Sequence, residues 1–392
     1  MSFIDDDGLR RNVEDTRENW SEHVESWLTD DQYTFDSESA DVLDVHTGVT
    51  PERIGDRYGV SPNKTIDRTG GTTQAQALLE EFTDRLGAYP SSISAPEDAR
   101  SGTSQLSPYF RFGCLSIRQA YQKVAAEIGH KRGKEAYISR LYWNRHYNQK
   151  LADWSGWMDT AVNPIMEDFH EESHNPEYVT AWKEGATGYP LVDASMRCLQ
   201  ETGWLNFRMR AMCASFFSDL LQQPWQIGAD HFYYHLLDAD PAINYCQWQL
   251  HAGADGTNLM QIYNPRKQVR DNDPDGTFIK KWVPELSGLP AEHLDRPEKT
   301  PLHIQADAGV SIGDDYPRPI VEYEAARKSI VAKIESIRDK AKKALSHPEV
   351  RRRVSLAQRA ETTGTDQMPD VDELQDESTT TSGGQASLSD YS

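Results

Sequence analysis

The chain has 392 residues, 62 of them acidic and 41 basic, for a formal net charge of -21. That balance argues against a surface built for broad attraction to nucleic-acid phosphates, which needs exposed Lys and Arg, while leaving room for a local basic groove. No signal peptide or membrane-length apolar run is evident, and Cys114, Cys198, Cys213 and Cys246 are scattered without a C-x-x-C pair. A cytoplasmic protein with reduced thiols is therefore expected, with no zinc and no iron–sulfur cluster.

Residues 1–67 include Asp5-Asp6-Asp7, Asn19-Trp20 and Thr50-Pro51-Glu52-Arg53-Ile54-Gly55. They carry no succession of buried strands alternating with helices, so they read as a short N-terminal extension or linker, too brief for a doubly wound sheet. Residues 68–345 read as one large all-α domain. Within it, Thr103, Ser104 and Ser107 set hydroxyls ahead of Pro108. A helix capped by Ser107 and opened by Pro108 would turn backbone N–H groups toward a phosphate; the plain alternative is a capped turn. Ile117, Ala120, Tyr121, Val124, Ala125 and Ile128 then recur at helical spacing.

The segment opening at Gly203-Trp204-Leu205-Asn206-Phe207-Arg208-Met209-Arg210 continues into Met212, Cys213, Phe216, Phe217 and Leu220, a buried helical stripe. Arg208 and Arg210 lie close to that stripe, and a buried unpaired charge is strongly unfavourable, so one of them is expected to pair with Asp238 or Asp240. Asp240 reads as an N-cap, with Pro241 at the first helical position. Asp240, Asn244 and Trp248 then sit four apart and share a helix face, lining up a carboxylate, an amide and an indole. Each has a plainer reading, as a cap, a solvated amide and a core aromatic. Lys340, Lys342, Lys343 and Arg351-Arg352-Arg353 read as a solvated helix end or as a phosphate contact. Residues 346–392 read mostly as a disordered, acidic, Ser/Thr-rich tail.

The ordered strings Thr103-Ser104-Gln105-Leu106-Ser107-Pro108-Tyr109-Phe110-Arg111-Phe112-Gly113, Thr187-Gly188-Tyr189-Pro190-Leu191-Val192-Asp193-Ala194-Ser195-Met196-Arg197, Asp238-Ala239-Asp240, Asn244, Gln247-Trp248-Gln249 and Trp282-Val283-Pro284-Glu285-Leu286 resemble the FAD-binding helical region of the DNA photolyase and cryptochrome family. The resemblance implies FAD as cofactor. It assigns Tyr89, Thr103, Ser104, Gln105, Leu106, Ser107, Trp204, Arg210, Phe232, Asp238, Ala239, Asp240 and Asn244 to cofactor binding. Asn244 would face flavin N5, Arg210 and Asp238 would form an ion pair beside the ring, and Trp248 and Trp225 would begin a chain of electron-passing tryptophans. The N-terminal α/β antenna domain of the family is expected to be missing.

Other matched positions depart from the family pattern. The third member of the tryptophan chain aligns with Glu172, for which Trp154, Trp157 or Trp182 are candidate substitutes. On the substrate side the matched residues are Arg140, Trp143, Asn144, Phe207 and Arg208. Arg140 stands where a lesion-contacting glutamate is usual, Asn144 where an arginine is, Phe207 where a lesion-contacting asparagine is, and Leu250 where a second tryptophan is. A guanidinium cannot reproduce a carboxylate's acceptor bonds, so repair-specific contacts are weakened while the Trp143 wall remains for stacking. The expected function is blue-light-driven electron transfer, with repair of pyrimidine dimers in DNA as one outcome and a photoreceptor or redox flavoprotein as the alternative. The acidic excess, with more Arg than Lys, also resembles proteins of halophilic organisms, whose internal salt would weaken DNA binding further. No signalling partner is indicated.

Overall fold

The computed structural model describes residues 6–11, 20–33, 45–65 and 68–354. Helices run in order: α1 (Trp20–Thr29), α2 (Pro51–Tyr58), α3 (Thr72–Arg85), α4 (Pro96–Gly102), α5 (Ser107–Arg111), α6 (Ile117–Ala126), α7 (Lys131–Asp153), α8 (Pro176–Glu184) and α9 (Pro190–Thr202). They continue with α10 (Phe207–Ser215), α11 (Trp225–His235), α12 (Pro241–His251), α13 (Pro265–Asn272), α14 (Thr277–Trp282), α15 (Leu302–Ala308), α16 (Tyr323–Leu345) and α17 (Pro348–Val354). Among the described residues the only β-pairing is an isolated bridge between Ile312 and Tyr316, so the all-α class holds. None of these helices is long and apolar enough to cross a membrane. The acidic tail expected after residue 345 lies outside the described residues beyond α17.

Helix α1 buries Trp20, Val24 and Leu28, spaced four apart, in a core shared with Phe82 of α3, Val124 of α6 and Tyr137 of α7. This packing joins α1 to the helices that follow. Arg118 of α6 is only 4% exposed. It donates to both carboxylate oxygens of Asp6 at 2.9 and 2.8 Å and to the Trp27 carbonyl at 2.8 Å, and its guanidinium lies 4.8 Å from the centre of the Trp27 ring. Further along, Lys64 reaches the Gln200 carbonyl at 2.7 Å, near the C-terminal end of α9, where a cation complements the helix dipole. The helical stripe read from residue 117 stops earlier than expected: α6 ends at Ala126, and Ile128 is 96% exposed.

The larger core gathers α8 to α14 and α16. The stripe Met212, Cys213, Phe216, Phe217 and Leu220 is buried as expected, with α10 passing into a π-helical turn at Phe216–Leu220. Asp240 caps α12, accepting from the Ile243 backbone N–H at 3.1 Å, with Pro241 at the first position. Helix α12 packs against α7, α10 and α11, which sets it at the centre of the molecule.

Candidate active site

One cavity of about 360 Å³ opens between α7, α10 and α12, within the size range of small-molecule and cofactor sites. Its wall includes every hydroxyl of the 103–107 segment, the aromatic residues Tyr89, Trp204, Phe232 and Trp248, and the polar residues Arg210, Asp238 and Asn244. Arg140, Trp143, Asn144, Phe207 and Arg208 border the same space. The structure thus gathers the residues expected on the cofactor side and those expected on the substrate side around a single opening.

Arg210 Nη2 donates to Asp238 Oδ1 and Oδ2 at 3.0 and 2.9 Å, while its Nε donates to the Leu205 carbonyl at 2.9 Å. The Arg210–Asp238 pairing preferred from the sequence is therefore present, and it leaves Asp240 free to cap its own helix. Asn244 Nδ2 donates to the Ala229 carbonyl at 2.9 Å, which fixes the amide against α11. Trp248 is 2% exposed; its ring meets Phe232 at 5.1 Å and Trp182 at 5.9 Å, both edge-on. Gly228 allows this packing, since a Cβ there would lie 2.2 Å from Cη2 of Trp248.

The loop before α5 is held in an unusual conformation. Gln105 has φ 55°, in the left-handed region, and its side-chain amide donates to Thr103 Oγ1 at 2.7 Å and to the Ala99 carbonyl at 3.1 Å, while Arg68 grips its oxygen. Ser107 does not cap the helix. Leu106 is already near-helical at φ -87°, ψ -9°, so it takes the cap position and Ser107 becomes the first helical residue. The turn is closed instead by Ser104, whose Oγ accepts from the Leu106 N–H at 3.4 Å and from the Tyr137 hydroxyl at 3.2 Å.

Three expected site residues stand away from the cavity wall. The Asp240 carboxylate is turned onto its own helix as the cap. Ala239 packs at the edge of the larger core, and its carbonyl accepts from Arg111 Nε at 2.6 Å. Trp225 is 5% exposed in that same core and borders a separate small crevice beside Glu171. Glu172 lies in an adjacent exposed turn. Of the three candidate substitutes for it, only Trp182 touches Trp248; Trp157 sits under Lys150 and Trp154 under Arg353.

Two further wall residues did not stand out in the sequence. Asn206 is 5% exposed, and its Nδ2 donates to the Ile93 and Ser94 carbonyls, while its Oδ1 is buried with no partner. His251 has neither ring nitrogen partnered, and burial, followed by the charge of Arg208, pushes its pKa down to about 4. Elsewhere on the wall, burial raises the Tyr89 hydroxyl pKa, against the opposing effect of Arg140 beside it. Orphaned polarity of this kind is visible only in three dimensions.

Residues 137–336 match the model of the FAD binding domain of DNA photolyase. The chain belongs to the photolyase and cryptochrome family of FAD-binding proteins. It is 31% identical over 323 residues to a deoxyribodipyrimidine photo-lyase of Alkalihalophilus pseudofirmus, covering 79% of this chain and 66% of that one. To cryptochrome-2 of Arabidopsis thaliana it is 33% identical over 282 residues, covering 69% of this chain and 45% of the plant protein. Its structure resembles a bacterial class III photolyase from Agrobacterium tumefaciens with a TM-score of 0.63 at 30% identity, over 69% of this chain and 57% of that one. The chain thus spans about half to two thirds of the length of these relatives.

FAD is the cofactor of this family domain, and the cavity fits it. Asn206 Oδ1 is a buried acceptor without a donor, the Thr103 to Ser107 hydroxyls suit a pyrophosphate, and Trp204, Phe232 and Trp248 offer apolar faces to a flat ring system.

Proposed function

We propose that this flavoprotein carries out blue-light-driven electron transfer from FAD to a pyrimidine lesion in DNA. The observation that carries this reading is the shared cavity: Trp143, Arg140 and Arg208 border the same space as Asn244, Arg210 and Trp248. Bound FAD would supply one-electron chemistry on excitation. The chain's own residues supply the rest. Trp143, stacked on Tyr147 with ring centroids 5.5 Å apart, offers a firm face on which an extruded base can lie. Arg208 and Arg140 add cationic groups in an otherwise acidic protein, and Arg210 with Asp238 fixes charge beside the ring site.

A second reading, a light sensor, is favoured by the direct contact of Trp248 with Trp182, which extends the aromatic path inward from the cavity. The two readings differ in one assay: recovery of thymine absorbance when a defined cyclobutane-dimer oligonucleotide is illuminated with flavin-reduced protein. Turnover supports repair. No recovery from flavin-loaded, photoreducible protein overturns repair in favour of sensing. Free cysteines, three of them buried, fit a reducing cytoplasm, and the charge of -21 fits a salt-rich one in which self-repulsion is screened.

A further inference from the structure

His251 closes α12 at the opposite end from its Asp240 cap. With Asn244, Gln247 and Trp248 it forms one face at positions i, i+3, i+4 and i+7, and all four residues border the cavity. His251 is 7% exposed, and neither Nδ1 nor Nε2, both buried, has a hydrogen-bond partner. Its surroundings are aromatic or cationic: Phe207 at 5.9 Å and Tyr263 at 6.0 Å between ring centroids, with the Arg208 guanidinium 5.9 Å from the Tyr263 ring centre.

A buried polar ring normally finds partners, so one left unmatched on a cavity wall marks where a ligand supplies them. With burial and Arg208 holding its pKa near 4, the imidazole is neutral at ordinary pH and carries one N–H donor and one acceptor nitrogen. Either nitrogen can therefore meet a ligand group of the matching kind, an acceptor for the N–H or a donor for the bare nitrogen. A pyrimidine edge supplies either one, a ring carbonyl or the N–H beside it. Residues Arg140, Asn144, Phe207 and Leu250 differ from the lesion contacts expected by resemblance, so this cavity needs another source of base recognition.

We infer that His251 is a specificity-determining residue that hydrogen-bonds the polar edge of a pyrimidine extruded from DNA and stacked on Trp143. This contact rests on the DNA reading of the cavity. The test uses flavin-loaded protein and a fluorescently labelled single strand carrying one thymine dimer, compared with the same strand undamaged, at fixed salt. His251→Phe keeps a flat ring and removes both nitrogens; His251→Asn keeps a donor and an acceptor. The Phe variant should lower the damaged-to-undamaged affinity ratio by about tenfold, as expected for a lost buried hydrogen bond, with undamaged binding unchanged. The Asn variant should retain most of the ratio. Full discrimination by His251→Phe overturns the contact, and so does a loss of flavin absorbance in that variant, which would assign the ring to the cofactor. A wild type with no discrimination overturns the DNA reading and this contact together.

Discussion

Trp248 stands edge-on to Trp182, with ring centroids 5.9 Å apart and ring planes at 80°. Trp182 is fully buried, and its Nε1 donates to the Cys213 carbonyl at 3.2 Å. The indole that borders the cavity is thus continuous with a second indole inside the core.

Trp248→Phe should slow photoreduction of the bound flavin by about tenfold or more in the presence of a thiol donor, the equivalent of roughly 1.4 kcal/mol in barrier. Trp225→Phe and Trp182→Phe, followed by transient absorption, then divide the flow between the two directions. An unchanged rate in Trp248→Phe would remove this residue from the path.

Asp238→Asn leaves Arg210 with the Leu205 carbonyl and a neutral amide. Asp238 is 7% exposed and Arg210 24% exposed in their side chains, so solvent replaces the carboxylate only in part. A loss of about 1–3 kcal/mol in urea unfolding and lower flavin occupancy are expected. Wild-type stability and occupancy together would show that the pair is dispensable.

Gly228→Ala places a methyl 2.2 Å from Cη2 of Trp248. The ring must shift, so about 1–3 kcal/mol of destabilisation and altered tryptophan fluorescence are expected. Unchanged fluorescence and melting would mean that α11 yields instead.

Acid should weaken the fold between pH 6.5 and 4. Burial lowers the pKa of His170 and His231 to about 3, and of His235 and His251 to about 4, with Lys333, His235, Lys64 and Arg208 respectively adding to the effect. A base with its folded pKa lowered stabilises the fold above its unfolded value near 6.5 and loses that contribution as pH falls toward the folded value. Asp219 works the other way. Burial raises it to about 7 against the Ser215 hydrogen bond, so its contribution is present below about 3.8 and is lost as pH rises through 7. Urea midpoints should therefore fall from pH 7.5 to 4.5, and more steeply in Asp219→Asn. A flat profile in the wild type would refute the burial of these imidazoles.

Local chemistry made some of this legible in the sequence. Asp240-Pro241 announces a cap because a short acceptor and a missing N–H suit the same helix start, and the cost of an unpaired charge beside an apolar stripe calls for one arginine–aspartate pair, which the resemblance narrows to Arg210 with Asp238. The family strings anticipated the helical class and most of the cavity wall. Ser107 misled because whether a residue caps depends on the backbone of its neighbour, and Leu106 is already helical. A motif match does not fix which way a side chain turns, so that the Asp240 carboxylate points onto its own helix and Trp225 lies within the larger core could be seen only in the structure. His251 and Asn206 were silent, since an unpaired nitrogen or oxygen is a property of the assembled wall. Contacts such as Arg118 to Asp6, 112 positions apart, leave no periodic trace.

Arg118 draws on Asp6, on the Trp27 carbonyl and on the Asp31 carbonyl, three points on the chain in and around α1. Its guanidinium has no route to water that would replace them, being 4% exposed. Opening α1 would therefore break these contacts at once and leave water to replace them, which couples α1 to α6. In amide exchange α1 should share the protection of the helices it covers, as part of one cooperative unit.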